Sequence, residues 1–142
     1  MREAVLAGSL SIFVEQSAYA SFEHQLYLME DLTLENVRAL YDQTAQDYGF
    51  GGWSYDCREY VSLSHLFVAP VYMISYVVSN DLAMQIYQAE LAKSGDGRQL
   101  FENNLATEES SLMAFATTAG LADPFEKGRV AQLRETFEAV FE

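Results

Sequence analysis

Residues 60–80 form an uncharged run that constrains the fold of this chain more than any other feature. The run includes HLFVAPVYMISYVV (65–78) and holds one histidine, one proline and three tyrosines. About twenty residues are enough for a helix to cross a bilayer. Seven polar or helix-breaking residues interrupt this run, however: Ser62, Ser64, His65, Pro70, Ser75, Ser79 and Asn80. The sequence therefore predicts a buried helix or the wall of a functional site, and no membrane span.

The charge of the chain limits its partners. Its 142 residues carry a net charge of −13, whereas phosphate backbones and anionic lipid surfaces attract clustered Lys and Arg. We therefore expect neither a nucleic-acid nor a membrane partner. The charge serves either solubility or the attraction of basic peptides and cations. No basic residue lies between Glu3 and Val37 or between Glu59 and Ala92, so a cavity lined by these segments is expected to be apolar to acidic.

The length and composition indicate a single globular domain spanning residues 1–142. Half of the residues are apolar, which argues against disorder. Cys57 is the only cysteine, so no internal disulfide is possible, in keeping with a reducing cytoplasm. The N-terminal apolar stretch is broken by Gly8, Ser9 and Ser11 and is interpreted as mature protein.

The first half of the chain shows helical periodicity. Two rows of apolar residues at seven-residue spacing predict a helix that ends near Glu30. Thr33 is a suitable N-cap for a second helix, which Gly49 is expected to end. GFGGW (49–53) is interpreted as a tight turn, since a phosphate-binding loop would need a following Lys. The two rows are Val5, Ile12, Tyr19 and Leu26, and Leu6, Phe13, Ala20 and Tyr27.

The second half is also expected to be helical. A long helix is predicted to begin at 68–70, because Pro suits a first helical turn, and to end near Lys93. A short helix covers 98–105, and Thr107 is expected to cap another that Gly120 closes. Asp123-Pro124-Phe125-Glu126 predicts the start of the last helix, which buries Val130, Leu133, Phe137 and Val140. The predicted fold class is all-α, with about six helices.

Three side chains of the uncharged run can meet. Tyr72 and Tyr76 are four residues apart, so on a helix both hydroxyls lie on one face. His65 precedes Pro70 by five residues and can fold back over the start of that helix. Buried tyrosine hydroxyls need hydrogen-bond partners. The pattern alone fits either a satisfied core or the wall of an active site.

The block His65-Leu-Phe-Val-Ala-Pro-Val-Tyr72-Met-Ile-Ser-Tyr76 resembles a motif near the C-terminus of the oligoendopeptidase F and Pz-peptidase family. These zinc oligopeptidases are related to thimet oligopeptidase. Their motif is a histidine followed five residues on by Pro-Phe-Tyr-Tyr-Ile-x-Tyr. Weaker matches run along most of the chain, at Phe22-Glu23, Leu32-Thr33, Gly49, Trp53, Leu105 and the turn at 120–124.

The resemblance implies a role for these side chains. In the family, a zinc-activated water attacks a peptide carbonyl, and hydrogen-bond donors stabilise the charge that develops on the carbonyl oxygen. His65 and Tyr76 are accordingly expected to contact the substrate carbonyl, with Tyr72 as a second donor. Val71 and Met73 depart from the motif, since they stand where relatives have aromatic residues.

The zinc ligands of the family are missing from this sequence. Relatives hold zinc with His-Glu-x-x-His on a helix and a downstream Glu. This chain has only two histidines, His24 and His65, forty-one positions apart, and no such motif. We therefore expect no metal site and no cofactor in this chain, zinc belonging to an intact relative. His24 is expected to be structural or exposed.

The leading interpretation is thus the C-terminal part of a zinc metallo-oligopeptidase that acts on short peptides, inactive alone. The alternative is a non-catalytic helical module that binds a peptide or a partner protein. The leading interpretation also predicts a homo-oligomer, most simply a dimer, because a segment packed against a missing part would expose apolar faces. The candidate residues for such a face are Phe13, Tyr19, Phe67, Tyr72 and Tyr76.

Overall fold

A computed structural model describes residues 2–50 and 59–141, and all regular structure in these ranges is helical. The predicted all-α class is therefore confirmed, with seven α-helices and a short 3₁₀ helix at Glu59–Ser62 in the described chain. None of the helices described is long and apolar enough to cross a membrane. The α-helices are α1 Arg2–Tyr27, α2 Leu34–Asp47, α3 His65–Val68, α4 Met73–Ala92, α5 Asp96–Ala106, α6 Leu112–Thr118 and α7 Arg129–Phe141.

The helices group into two compact units. The central unit is Ser11–Val77, and the terminal unit combines the chain up to Leu10 with the chain from Val78 onward. The sequence expectations for Trp53, for Cys57 and for the glycines at 51–52 lie outside the described residues.

Aromatic residues form the core of the central unit. Phe22, Tyr41 and Tyr60 are all buried, with ring centroids 4.9 to 5.6 Å apart. Phe22–Tyr41 and Tyr41–Tyr60 meet edge to face, the arrangement that the ring quadrupoles favour. Val37 and Leu66 complete this cluster. Burial of Leu66 fixes the short helix α3, and thereby the position of His65 beside it.

Small residues bring the helices of the terminal unit close together. Leu82, Ala116, Ala119 and Leu121 form one buried cluster of this unit, in which Ala116 of α6 and Ala119 just beyond it lie near Leu82 of α4. Gly97 of α5 lies against α4 at still shorter range. A Cβ atom at position 97 would stand 2.5 Å from the carbonyl oxygen of Ile86 and 2.6 Å from Cβ of Glu90. Only glycine fits this contact.

The expected boundary signals of α2 are confirmed. Thr33 Oγ1 accepts a hydrogen bond from the N–H of Asn36 at 3.2 Å, which satisfies one of the free amides of the first turn. Beyond the C-terminus, Gly49 adopts the left-handed φ of 84° that favours glycine. Helix α1 ends at Tyr27, three residues before the expected end. Val5 and Ile12 are about half exposed, contrary to the expected apolar face, whereas Leu6 is fully buried.

The predicted start of the long helix is wrong. Helix α4 begins at Met73, and Pro70 lies in a turn between α3 and α4. Val71 in that turn has a φ of 65°, outside the helical region. The helix therefore cannot continue from residue 70 through residue 71. Its predicted C-terminal end holds, because α4 stops at Ala92 and Gly95 follows with a φ of 96°.

Two later helix starts are also displaced. Ser111, not Thr107, precedes α6, and Thr107 instead follows the end of α5, where its N–H donates to the carbonyl of Asn104. Asp123 Oδ1 does accept the N–H of Phe125 at 2.7 Å, but this closes only a local turn. Gly128 at a φ of 96° separates that turn from α7.

The core face of α7 was predicted in part. Leu133 and Phe137 are buried as expected. Val130 is 64% exposed, so its predicted burial is wrong. Helical spacing places Val130 on the same side as Leu133 and Phe137. Because α7 begins only at Arg129, however, Val130 lies in the first turn, at the exposed end of that face. The Val140 side chain is outside the described part of the structure.

Candidate functional site

The three residues singled out from the sequence lie together in the central unit. The imidazole of His65 stacks on the ring of Tyr72, with centroids 5.0 Å apart and planes 6° from parallel. Tyr76 meets both rings edge-on, at 5.8 Å from His65 and 5.4 Å from Tyr72. We call these three residues the His–Tyr cluster. The structure thus brings together the three side chains that the sequence spacing allows to meet.

Local structure explains how the cluster forms. His65 is the first residue of α3, Tyr72 immediately precedes α4, and Tyr76 lies in the first turn of α4. The four-residue spacing of the tyrosines brings their rings into contact although only Tyr76 is helical. Leu66 and Met73 are both buried, so the segments on either side of the turn are fixed by the core. Met73 therefore contributes packing at a position where the motif that this block resembles has an aromatic residue.

The cluster is open to solvent. Tyr72 is 45% and Tyr76 38% exposed, and His65 is half-buried. Phe67 and Val68, on α3, are exposed still further. These tyrosines are therefore not satisfied core residues, which was the simpler of the two sequence interpretations. Of the other residues expected on an exposed apolar face, Phe13 and Tyr19 are only half-buried, and Tyr19 packs against the aromatic core.

The proton arrangement of the cluster depends on the histidine tautomer. The Tyr76 hydroxyl lies 3.4 Å from Nε2 of His65, a long contact. With the proton on Nδ1, Nε2 accepts from the Tyr76 hydroxyl. With the proton on Nε2, His65 donates to the tyrosine oxygen, and the hydroxyl proton is free to point at a ligand. Contacts of this kind are commonly long without substrate and shorten when it binds.

Two residues of α1 hold the segment that carries the cluster. The N–H of Val71 donates to Oε1 of Glu23 at 2.6 Å, and Glu23 is only 3% exposed. The Tyr27 hydroxyl donates to the carbonyl oxygen of Leu66 at 3.1 Å. Sequence reasoning assigned no role at the site to either residue. The weak match at Phe22-Glu23 was the only sequence feature that pointed to this region, and it implied no function for the Glu23 carboxylate.

A cavity lies in the central unit near the same turn. Its volume of about 560 Å³ is within the range of small-ligand pockets. The walls are largely apolar, with Glu23 and His24 as the titratable groups other than tyrosine. His24 itself is exposed, in line with the expectation from sequence. The lining residues are Ser17, Ala20, Ser21, Glu23, His24, Tyr27, Leu28, Tyr48, Val71 and Ile74.

The side chains that could bind a metal ion are dispersed over the described part of the chain. Within residues 2–50 and 59–141, no three His, Cys, Asp or Glu side chains lie close enough together to hold a metal ion. The chemistry that the described side chains do bring together is hydrogen-bond donation, from an imidazole and two phenols at one exposed place. Such an arrangement suits the binding of a carbonyl or another acceptor oxygen.

The fold and the site together define an all-α protein with an exposed His–Tyr cluster. No family model, no curated protein and no solved structure matches this chain. The resemblance to oligoendopeptidase F-like enzymes therefore stays a prediction, based on the residues quoted from the sequence.

Proposed function

We propose that this chain is the C-terminal part of a zinc metallo-oligopeptidase and forms the wall that binds the substrate carbonyl. The observation that carries the proposal is the assembly of His65, Tyr72 and Tyr76 into one exposed cluster. These residue types at this spacing are those of the family motif. The exposure of both tyrosines makes the cluster accessible to a peptide.

The cluster has the groups that peptide hydrolysis requires at the carbonyl. When water adds to a peptide carbon, negative charge develops on the carbonyl oxygen, and donors already aimed there lower the barrier. Tyr76 and His65 would donate to this oxygen, with Tyr72 as the second phenol. The nucleophile would come from water activated by zinc, held by a His-Glu-x-x-His segment that these 142 residues do not contain. The isolated chain is accordingly proposed to bind peptides without cleaving them.

Peptide titration tests the role of the cluster. We expect a blocked tetra-alanine peptide to shift the NMR signals of the His65 and Tyr76 rings. Replacing one peptide carbonyl of the ligand by CH₂ should weaken binding. Tyr76→Phe removes a single hydroxyl and should lower affinity about fivefold to tenfold, the value of one hydrogen bond. Tyr87→Phe, on the same helix α4 but in the terminal unit, is the matched control.

Sequencing the coding region before codon 1 tests the parent enzyme. A His-Glu-x-x-His segment in the same frame, or in an adjacent gene, would support the proposal. The lack of any such segment in either place would contradict the peptidase assignment and leave only a binding role for the cluster.

The cavity favours a second candidate, a non-catalytic module that binds an apolar peptide side chain or partner helix. This candidate differs in which residues matter. Filling the cavity by Ser21→Trp should abolish binding if the module is correct, while Tyr76→Phe should leave affinity unchanged. If Tyr76→Phe weakens binding and Ser21→Trp does not, the result favours the carbonyl-binding wall. For either function we propose a cytoplasmic setting, supported by the single cysteine.

A further inference from the structure

We infer that Glu23 is a positioning residue for the His–Tyr cluster: its buried carboxylate holds Val71 in a left-handed turn and thereby sets the stacking of Tyr72 on His65. Only the effect of Glu23 on peptide binding rests on the proposed function. The geometry it concerns exists in the free chain.

The contact between Glu23 and Val71 is short, and its acceptor is buried. The N–H of Val71 lies 2.6 Å from Oε1 of Glu23, within the short range of charge-assisted hydrogen bonds. Glu23 is 3% exposed, so water competes little for its carboxylate. A carboxylate at such a position is unfavourable unless it is hydrogen-bonded. A carboxyl group at this depth therefore needs a hydrogen-bond donor, and the N–H of Val71 supplies one.

Val71 has a backbone conformation that valine does not adopt by preference. Its φ is 65°, and a β-branched residue in the left-handed region is a genuine outlier. The side chain is 65% exposed, so core packing does not compensate for the strain. Strained backbone persists where surrounding structure enforces it, and it is concentrated at functional sites. The hydrogen bond to Glu23 is the contact that enforces the strained φ here.

The turn controls the orientation of Tyr72. Val71 is directly bonded to Tyr72, so its φ sets the direction in which the chain leaves the turn. A Val71 in the extended region would turn the tyrosine ring away from His65 and break the 5.0 Å parallel stack. Met73, buried beyond it, fixes the other end. Glu23 therefore acts on the His–Tyr cluster through the backbone of Val71.

The test is NMR of the full chain without ligand. A stacked phenol shifts the His65 ring protons upfield, which reports the contact directly. We expect Glu23→Met, of similar size but without an acceptor, to lose more than half of this shift. Glu23→Gln keeps an acceptor oxygen and should keep most of it. Glu30→Gln, an exposed carboxylate beyond the end of α1, should change nothing. An unaltered His65 shift in a folded Glu23→Met variant would overturn the inference.

A second pair of variants leaves Glu23 in place, in case its substitution prevents folding. Val71→Pro removes the donated N–H and fixes φ near −65°, so the His65 shift should be lost. Val71→Gly keeps the N–H and adopts a φ of +65° without strain, so the shift should be kept. Equal shifts in both variants would refute the link between turn and stack.

Peptide affinity separates this inference from the proposed function. For the blocked tetra-alanine peptide we expect a loss of about tenfold in Glu23→Met and a smaller loss in Glu23→Gln, since binding gains from a preorganised site. If the unmodified chain binds no peptide, the proposed function fails. The ring-proton comparison still decides whether Glu23 positions Tyr72.

Discussion

Arg129 and Asp81 form a buried ion pair in the terminal unit, with Nε of the arginine 2.8 Å from Oδ1 and 3.2 Å from Oδ2 of the aspartate. Their side chains are only 7% and 3% exposed. Nη2 also approaches Oδ1 to 2.8 Å, but without the alignment of a hydrogen bond. The pair joins the first residue of α7 to α4.

Breaking this pair is expected to destabilise the protein. Asp81→Leu or Arg129→Met alone should lower the free energy of unfolding by about 3–5 kcal/mol, because each leaves a buried charge without its partner. The double variant should recover most of the loss, since apolar residues can replace a buried pair. Urea denaturation measures this. Arg134→Met, from an exposed pair on the same helix, is the control and should leave the midpoint unchanged.

Two glycines on different helices should respond to alanine with opposite signs. Gly97→Ala places a Cβ 2.5 Å from the Ile86 carbonyl oxygen and should cost about 1–3 kcal/mol through overpacking. Gly8→Ala, in the interior of α1 with no atom within 4 Å of the new Cβ, should stabilise by about 1 kcal/mol. Thermal unfolding of both variants decides. A stabilising Gly97→Ala would show that α5 does not pack on α4 as described.

The pH dependence of stability should include a contribution from Glu90. The N–H groups of Gly95 and then Arg98 donate to its carboxylate and hold the pKa of Glu90 below its ordinary value. A lowered folded-state pKa stabilises the protein above the unfolded-state pKa, and this contribution disappears as the pH falls through the folded value. The difference in urea midpoint between the unmodified chain and Glu90→Gln should therefore be present at pH 7 and shrink in acid. A difference that grows towards low pH would contradict this assignment.

The purified chain is expected to bind no stoichiometric zinc and to cleave no short peptide. The reason is chemical: the sequence has no His-Glu-x-x-His motif, and neither of its histidines has a second histidine nearby in the chain. Metal analysis after dialysis against zinc, together with a fluorogenic peptide assay, measures both properties. One tightly held zinc per chain would refute this prediction.

We also propose that the chain self-associates, most simply as a dimer. Phe67, Val68 and Val71 are exposed within one short segment beside the His–Tyr cluster. Covering about 400 Å² of apolar surface provides on the order of 10 kcal/mol before the entropy of association is subtracted. Salt screens repulsion between the acidic chains beyond about 8 Å. Light scattering at tens of micromolar protein should give twice the 16.0 kDa chain mass. Phe67→Asp should lower the measured mass towards that of a monomer. A clean monomer mass would contradict the proposal.

Helix content was predictable from the sequence because its determinants are local. Thr33 caps α2 through an amide three residues away, and Gly49 and Gly120 adopt the left-handed φ that few other residues accept. Capping and backbone preference act over one turn of chain, so composition and spacing reveal them. The contact between Tyr72 and Tyr76 belongs to the same class, since a four-residue spacing suffices to bring the rings together.

Tertiary packing decided what local signals could not. The Asp123-Pro124 signal did not start a helix, and Pro70 lies in a turn. Distant side chains hold both places, since Gln85 accepts the N–H of Ala122 and Glu23 accepts the N–H of Val71. Glu23 reaches Val71 across 48 positions, and Asp81 reaches Arg129 across another 48. The spacing of residues in the sequence indicates neither of these two pairs. The sequence by itself determined the helices and the residue types of the cluster, while long-range burial and hydrogen bonding determined its orientation, because only the folded chain brings those partners within hydrogen-bond distance.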